Sequence, residues 1–163
     1  LRPPELAGDL SPFMPVIRDA LARCVPDQRD LNSAFAIYAT AAFLTPSLLR
    51  DACSKLDTTD PPDFVLSTTQ FVYPPQRALL CSGSGALAFR EPEHALARSQ
   101  DLPICYHDAG LFFGGLPRAI ADHDSALSGH CLPIEVPPWA AVDIDTGEGW
   151  AMAEGLFSQL HKD

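Results

Sequence analysis

Two aspartates one residue apart, Asp143 and Asp145, sit in the stretch Ala140-Ala141-Val142-Asp143-Ile144-Asp145-Thr146-Gly147-Glu148-Gly149-Trp150. In a strand, alternate side chains share a face, so both carboxylates project together while Ile144 packs behind them. Two like charges held that close call for a cation, and a hard divalent ion such as Mg²⁺ suits oxygen ligands. The same letters carry a second reading. Asp145 or Thr146 caps the helix that follows, with Glu148 as a capping-box partner to Asp145.

Other polar clusters offer binding chemistry. Tyr73-Pro74-Pro75-Gln76-Arg77 stiffens a turn at the end of an expected strand, where open α/β sheets place ligands. The Arg77 guanidinium there can fork onto a carboxylate or phosphate, or stand solvated on a surface loop. Arg98-Ser99-Gln100-Asp101-Leu102-Pro103 poses the same choice. Cys105, His107, His130 and Cys131 lack the spacing of a structural zinc site, and no nucleophile sits in a Gly-x-Ser-x-Gly turn. The sequence contains no Gly-rich phosphate loop of either common kind.

The elements that must position these groups read as one α/β domain of 163 residues. Hydrophobic residues make up 47% and charged residues 20%, the balance of a globular chain. A formal charge of -10 argues against a basic surface for nucleic acid and against an anionic membrane as partner. No apolar run approaches the roughly 20 residues that cross a bilayer. Five scattered cysteines, with no Cys-x-x-Cys pair, read as reduced and mostly buried thiols of a cytoplasmic protein.

Along the chain, Asp9 or Ser11 is expected to cap a helix reaching Cys24, with Met14, Ile17, Leu21 and Cys24 on one face and Pro26 ending it. Residues 34–38 form a nearly continuous apolar run, as in a strand covered on both faces. Thr45-Pro46 starts a helix through Leu56, and residues 64–68 form the next strand. This alternation predicts a layered α/β domain with a largely parallel sheet. From Pro74 to about Gly115, short apolar runs broken by Pro, Gly and Ser suit hairpins or an excursion. A short helix over 116–123, an edge strand at 132–136, a last strand at 142–145 and a closing amphipathic helix complete the pattern.

Several segments together resemble one family, the acylneuraminate cytidylyltransferases (CMP-sialic acid synthetases), and among them the pseudaminic acid cytidylyltransferases. They are Arg2-Pro3-Pro4-Glu5-Leu6, Ile37-Tyr38-Ala39-Thr40-Ala41-Ala42-Phe43-Leu44, Asp63-Phe64-Val65, Tyr73-Pro74-Pro75-Gln76-Arg77-Ala78-Leu79, Arg98-Ser99-Gln100-Asp101-Leu102-Pro103, Tyr106-His107-Asp108-Ala109-Gly110 and Ala141-Val142-Asp143-Ile144-Asp145-Thr146. They cover nearly the whole chain in family order. The resemblance implies a three-layer α/β/α sandwich of the nucleotide-diphosphosugar transferase type. It also implies a small dimerisation excursion at about 86–113, hence a homodimer. The implied reaction joins CTP to a nine-carbon sialic-acid-like sugar acid, giving the CMP-sugar and pyrophosphate with Mg²⁺. Asp143 and Asp145 would be the metal ligands and, with Arg98, the catalytic residues. Thr40, Gln76, Arg77, Gln100 and Tyr106 would meet substrate.

The chain departs from the family pattern in several places. It starts after the family's early strands and their phosphate-binding loop, so the 163 residues alone are expected to be inactive. That leaves a rival expectation, a non-catalytic module that binds sugar acid or dimerises. Ala42 replaces a usual proline, Leu111-Phe112-Phe113 replaces Gln-Phe-Tyr, and Gly149 stands where a third carboxylate is common.

Overall fold

The structure is a computed structural model that describes residues 2–8, 10–25, 27 and 29–160. Asp9 and Pro26, expected at the two ends of the first helix, lie outside the described residues. That helix, α1, spans Phe13–Cys24, with Met14 buried and Ile17 and Leu21 packed on the core. Its N-cap is Pro12, and no side chain caps it.

Strand β1 (Ala34–Ile37) and helix α2 (Pro46–Leu56) follow as expected. The Thr45 hydroxyl accepts from the Leu48 N–H at 3.4 Å, while Pro46, which lacks a donor, occupies the first turn. Ala52 and Leu56 are buried on the inner face of α2. Strand β2 (Phe64–Gln70) is buried along almost its whole length.

After β2 the chain leaves the sheet. Residues 71–105 carry a two-stranded hairpin, β3 (Leu79–Cys81) antiparallel to β4 (Leu87–Phe89), and no residue in this protrusion is buried. The chain returns as β5 (Tyr106–Gly115), continues through α3 (Pro117–Asp122) and β6 (Cys131–Glu135), and closes on α4 (Gly147–Leu160). Thus 106–113, expected within the excursion, belong instead to a central strand, and the protrusion lies N-terminal to them.

The main sheet has the order β1-β5-β2-β6. This is an α/β fold with a mixed sheet, in which only the β2–β6 pairing is parallel and β5 runs against its two neighbours. The expectation of a largely parallel sheet fails because no crossover helix separates β2 from β5. The chain turns back through the protrusion and pairs antiparallel. β1 is an edge strand and only half covered, not covered on both faces as its apolar run suggested. Phe113 touches Phe13 of α1 with ring centroids 5.7 Å apart, and Phe64 meets His123 just after α3. Thus α1 and α3 cover the face bearing Phe64 and Phe113, while α2 packs against β2 and β6.

Residues 142–145 form no strand. Pro137 and Pro138 withhold backbone donors, and the segment turns on side-chain hydrogen bonds instead. α4 keeps its apolar stripe but buries little of it: Ala153 alone is buried, and Trp150, Phe157 and Leu160 are about half exposed. Nor are the thiols mostly buried. All five are free, with Cys24, Cys53 and Cys81 exposed.

Candidate functional site

A large bulge in β5 shapes the site. Leu66 pairs with Phe113 and Thr68 with Asp108, so residues 109–112 face the single residue Ser67. Ser67 is fully buried, and its hydroxyl accepts the Leu111 N–H at 3.2 Å and the Phe112 N–H at 3.1 Å. One hydroxyl thereby satisfies donors that the broken ladder would leave orphaned. Gly110 adopts φ +67, in the left-handed region that glycine enters without cost. Its N–H donates to Asp108 Oδ1 at 2.8 Å, closing an Asx turn. The bulge thus holds Asp108 and His107 near the start of β5, beside Tyr38, which follows β1.

Across from them runs the segment carrying Asp143 and Asp145. The Asp145 N–H donates to Asp143 Oδ1 at 3.2 Å, and Thr146 Oγ1 accepts from the Gly149 N–H at 3.1 Å. Thr146 is therefore the cap of α4, and both aspartates are exposed beside that helix start. Gly149 sits against the backbone of Asp143, and a Cβ there would overlap the Asp143 carbonyl oxygen. The close approach of α4 explains why glycine, not a third carboxylate, occupies this position.

Tyr38, Thr40, His107, Asp108, Asp143 and Asp145 line one cleft of about 460 Å³. Three carboxylates share it, and the Asp145 carboxylate makes no hydrogen bond among the described residues. Burial, and then the charge of Asp108, push the Tyr38 phenol up. Such a cleft favours cations and hydrogen-bond donors. Hard oxygen ligands from one or two carboxylates, completed by water and substrate, are what Mg²⁺ takes, so Asp143 and Asp145 fit that ion. Among the described residues, the one group of three potential metal-binding side chains already gathered within 4.8 Å is elsewhere: Glu91, Glu93 and His94 on the protrusion.

The remaining expected site residues lie on or beside the protrusion. Gln76 Nε2 donates to the Pro103 carbonyl at 3.1 Å and to Cys105 Sγ at 3.1 Å, while its Oε1 is buried without a partner. Gln76 thus ties together the two ends of the protrusion. Arg77 reaches Ser99 Oγ at 3.5 Å, and Arg98 pairs with Asp101 at 2.9 Å, both on exposed surface. Gln100 lines a separate pocket of about 270 Å³ with Phe71, Pro74 and Pro103. Tyr106 belongs to another cluster, where Gln70 Nε2 donates to Glu135 Oε1 at 2.8 Å and to the Tyr106 oxygen at 3.3 Å. The Tyr106 hydroxyl donates in turn to Glu135 Oε2 at 3.4 Å. The structure therefore brings Thr40 together with Asp143 and Asp145, and leaves Gln76, Arg77, Arg98, Gln100 and Tyr106 outside that cleft's lining.

Sequence reading did not single out Tyr38, Asp108, Gln70 or Glu135 as site residues, and it weighed His107 only as a zinc ligand. The signal for Asp108 was present: Asp-Ala-Gly inside an apolar run marks a turn or bulge that re-aims a side chain. Gln70 and Glu135 gave none, because the pairing of Thr68 with Glu135 that brings β6 alongside is not a local property.

No protein-family model matches the chain. Over 162 residues it is 28% identical to the pseudaminic acid cytidylyltransferase of Campylobacter jejuni subsp. jejuni serotype O:2, covering 99% of this chain and 69% of that protein. The protein of the same name from serotype O:23/36 is 27% identical over the same shares. Over 144 residues the chain is also 28% identical to a longer Helicobacter pylori protein, covering 88% of this chain and 27% of that one. That protein is named pseudaminic acid cytidylyltransferase and UDP-2,4-diacetamido-2,4,6-trideoxy-beta-L-altropyranose hydrolase. These likenesses relate the chain to the CMP-sugar synthetases.

Proposed function

We propose that the protein transfers CMP from CTP to pseudaminic acid, releasing pyrophosphate, in the cleft where Asp143, Asp145 and Thr40 meet. One observation carries this reading: similarity to named pseudaminic acid cytidylyltransferases runs over 99% of the chain, through the segments that build that cleft. In the transfer, the sugar's anomeric oxygen forms a bond to the α-phosphorus as the bond to the departing pyrophosphate breaks. Mg²⁺, when bound, neutralises charge on the phosphate oxygens.

The chain's own residues divide the work. Asp143 and Asp145 offer carboxylate oxygens to the ion, and the Asx turn between them holds their backbone in place. Thr40, on the loop after β1, borders the sugar. Arg77 and Arg98 supply guanidinium groups for the sugar carboxylate, with Gln76 and Gln100 beside them. Tyr106, held by Gln70 and Glu135, orders the end of the central β2–β5 pair from which the protrusion departs. The protrusion also serves as the contact between two copies in a homodimer. Its exposed Val72, Tyr73, Leu80 and Leu87 support this role.

The experiment is turnover. Because the 163 residues alone are expected to be inactive, a chain that also carries the family's phosphate-binding loop is incubated with CTP, Mg²⁺ and pseudaminic acid, and CMP-sugar and pyrophosphate are followed by mass spectrometry and a phosphate-release assay. The expected result is stoichiometric formation of both, reduced roughly 100-fold or more in Asp143→Asn and Asp145→Asn variants of unchanged circular dichroism. Equal turnover in these variants would make the aspartates a helix-start feature only.

A further inference from the structure

His107 lines the same cleft as Asp143 and Asp145. Its backbone pairs with Thr69 of β2, and its ring lies against Phe71, with centroids 4.7 Å apart. The imidazole Nδ1 is 2.9 Å from the backbone carbonyl oxygen of Asp108.

A carbonyl oxygen can only accept, so Nδ1 carries the proton in that contact. In the neutral ring Nε2 is then an unprotonated lone pair. Nε2 makes no hydrogen bond or ion pair among the described residues. Asp108 is itself held by the Asx turn at Gly110, so the β5 bulge sets the tautomer of its neighbour. A base oriented by a third group, with its other nitrogen open to the cleft, is the arrangement of general base catalysis.

Cytidylyl transfer needs such a group, because the anomeric hydroxyl must lose its proton as its oxygen bonds to phosphorus. The other titratable groups lining the cleft are Tyr38, Asp108, Asp143 and Asp145, while Thr69 and Phe71 bring no charge to the ring. Burial, and then the charge of Asp108, keep the Tyr38 phenol protonated, so it takes no proton. Asp143 and Asp145 are proposed to hold the ion, and Asp108 Oδ1 is engaged by the Gly110 N–H. We propose that His107 Nε2 is the general base that takes the proton of the sugar acid's anomeric hydroxyl. This inference rests on the proposed cytidylyl transfer, which it makes more specific. The O–H bond breaks toward Nε2, the oxygen bonds to the α-phosphorus, and pyrophosphate leaves with the electron pair of its bond. The carboxylates of the cleft favour the imidazolium so formed, which then passes its proton to water.

The test is the pH dependence of kcat in a chain that also carries the family's phosphate-binding loop, with CTP, Mg²⁺ and pseudaminic acid saturating. Wild type should gain activity along a rising limb as one group loses its proton. In His107→Gln, of unchanged circular dichroism, kcat should fall roughly 100-fold or more and that limb should vanish. Added imidazole should restore part of the activity of His107→Ala, which a fold defect would not allow. In the 163-residue chain, imidazole nitrogen NMR shifts of His107 should report the Nδ1–H tautomer. A His107→Gln variant that keeps the limb would overturn the assignment, as would an Nε2–H tautomer. If wild type makes no CMP-sugar at any pH, the cytidylyl transfer itself falls, and this assignment with it.

Discussion

β2 and β5 flank the 71–105 protrusion in the chain, yet Phe64, Val65 and Phe112 are completely buried while no residue of the protrusion is. The sheet centre is organised by exclusion of water, and there Ser67 satisfies two backbone donors, while the buried Thr68 and Thr69 hydroxyls have no partner among the described residues. The protrusion is organised by short-range polar links, such as Arg98 with Asp101 and Gln76 with Pro103. The Asp143/Asp145 cleft joins the two kinds of structure: one wall is a bulge in the most buried strand pair, and the other is the exposed, irregular segment that carries the aspartates. Arg77 and Arg98, proposed to meet the sugar carboxylate, belong to the second. On the proposed function, fixed geometry would serve the reacting atoms and adaptable surface the sugar or a second copy.

Truncation should separate the two regions most sharply. Phe112→Ala removes a ring at the middle of the sheet and is expected to cost about 3–5 kcal/mol in urea unfolding, against no more than about 0.5 kcal/mol for Leu80→Ala in the hairpin. Comparable losses at both sites would mean that the protrusion shares the core's cooperativity. Ser67→Ala leaves the bulge's two N–H groups unpaired in a buried place, at an expected cost of about 1–3 kcal/mol. Because it loosens Asp108, it should also weaken ligand binding in the cleft more than its stability effect alone explains.

Much of this division was legible beforehand. The Thr45-Pro46 start of α2, the apolar run of β2 and the broken pattern after Pro74 each reflect local physics, and each appears as read. What escaped was non-local. Tyr106–Gly115 reads as part of the hairpins or excursion because Gly110 interrupts its pattern, and only pairing with both β1 and β2 makes it a central strand. The Asp143 segment reads as a strand because of its apolar lead-in, but the sheet already ends at β6 and side-chain turns take over. The apolar stripe of α4 was visible, whereas its exposure depends on what lies next to it. The two aspartates were picked by their spacing and Thr40 by resemblance, and the fold brings them to one cleft. The role of Asp108 needed the register.

Smaller effects sharpen the comparison further. Arg98→Ala breaks an exposed ion pair and should change stability by less than about 0.5 kcal/mol. If the protrusion contributes to the sugar site, the same variant should raise the KM for sugar acid several-fold and leave that for CTP unchanged. An unchanged KM for both would confine recognition to the cleft.

The smallest effect concerns pH. Burial pushes the Cys131 thiol up from an ordinary 9.0 to about 11. The folded state holds this proton more tightly than the unfolded chain does, so its contribution is full below pH 9.0 and is lost as pH rises through about 11. Unfolding midpoints should decline across that window, less so in Cys131→Ala. At pH 8, Cys24, Cys53 and Cys81 should alkylate first and Cys131 last.

The central claim is that Asp143 and Asp145 make the cleft a site for a metal-bound nucleotide. Its most direct measurement is calorimetric binding of CTP, with Mg²⁺ and with a chelator, to wild type and to the Asp143→Asn/Asp145→Asn double variant. The account predicts Mg²⁺-dependent binding in wild type, weakened roughly tenfold or more in the variant, with the two proteins indistinguishable in chelator. Equal Mg²⁺-dependent affinity in both proteins would contradict it.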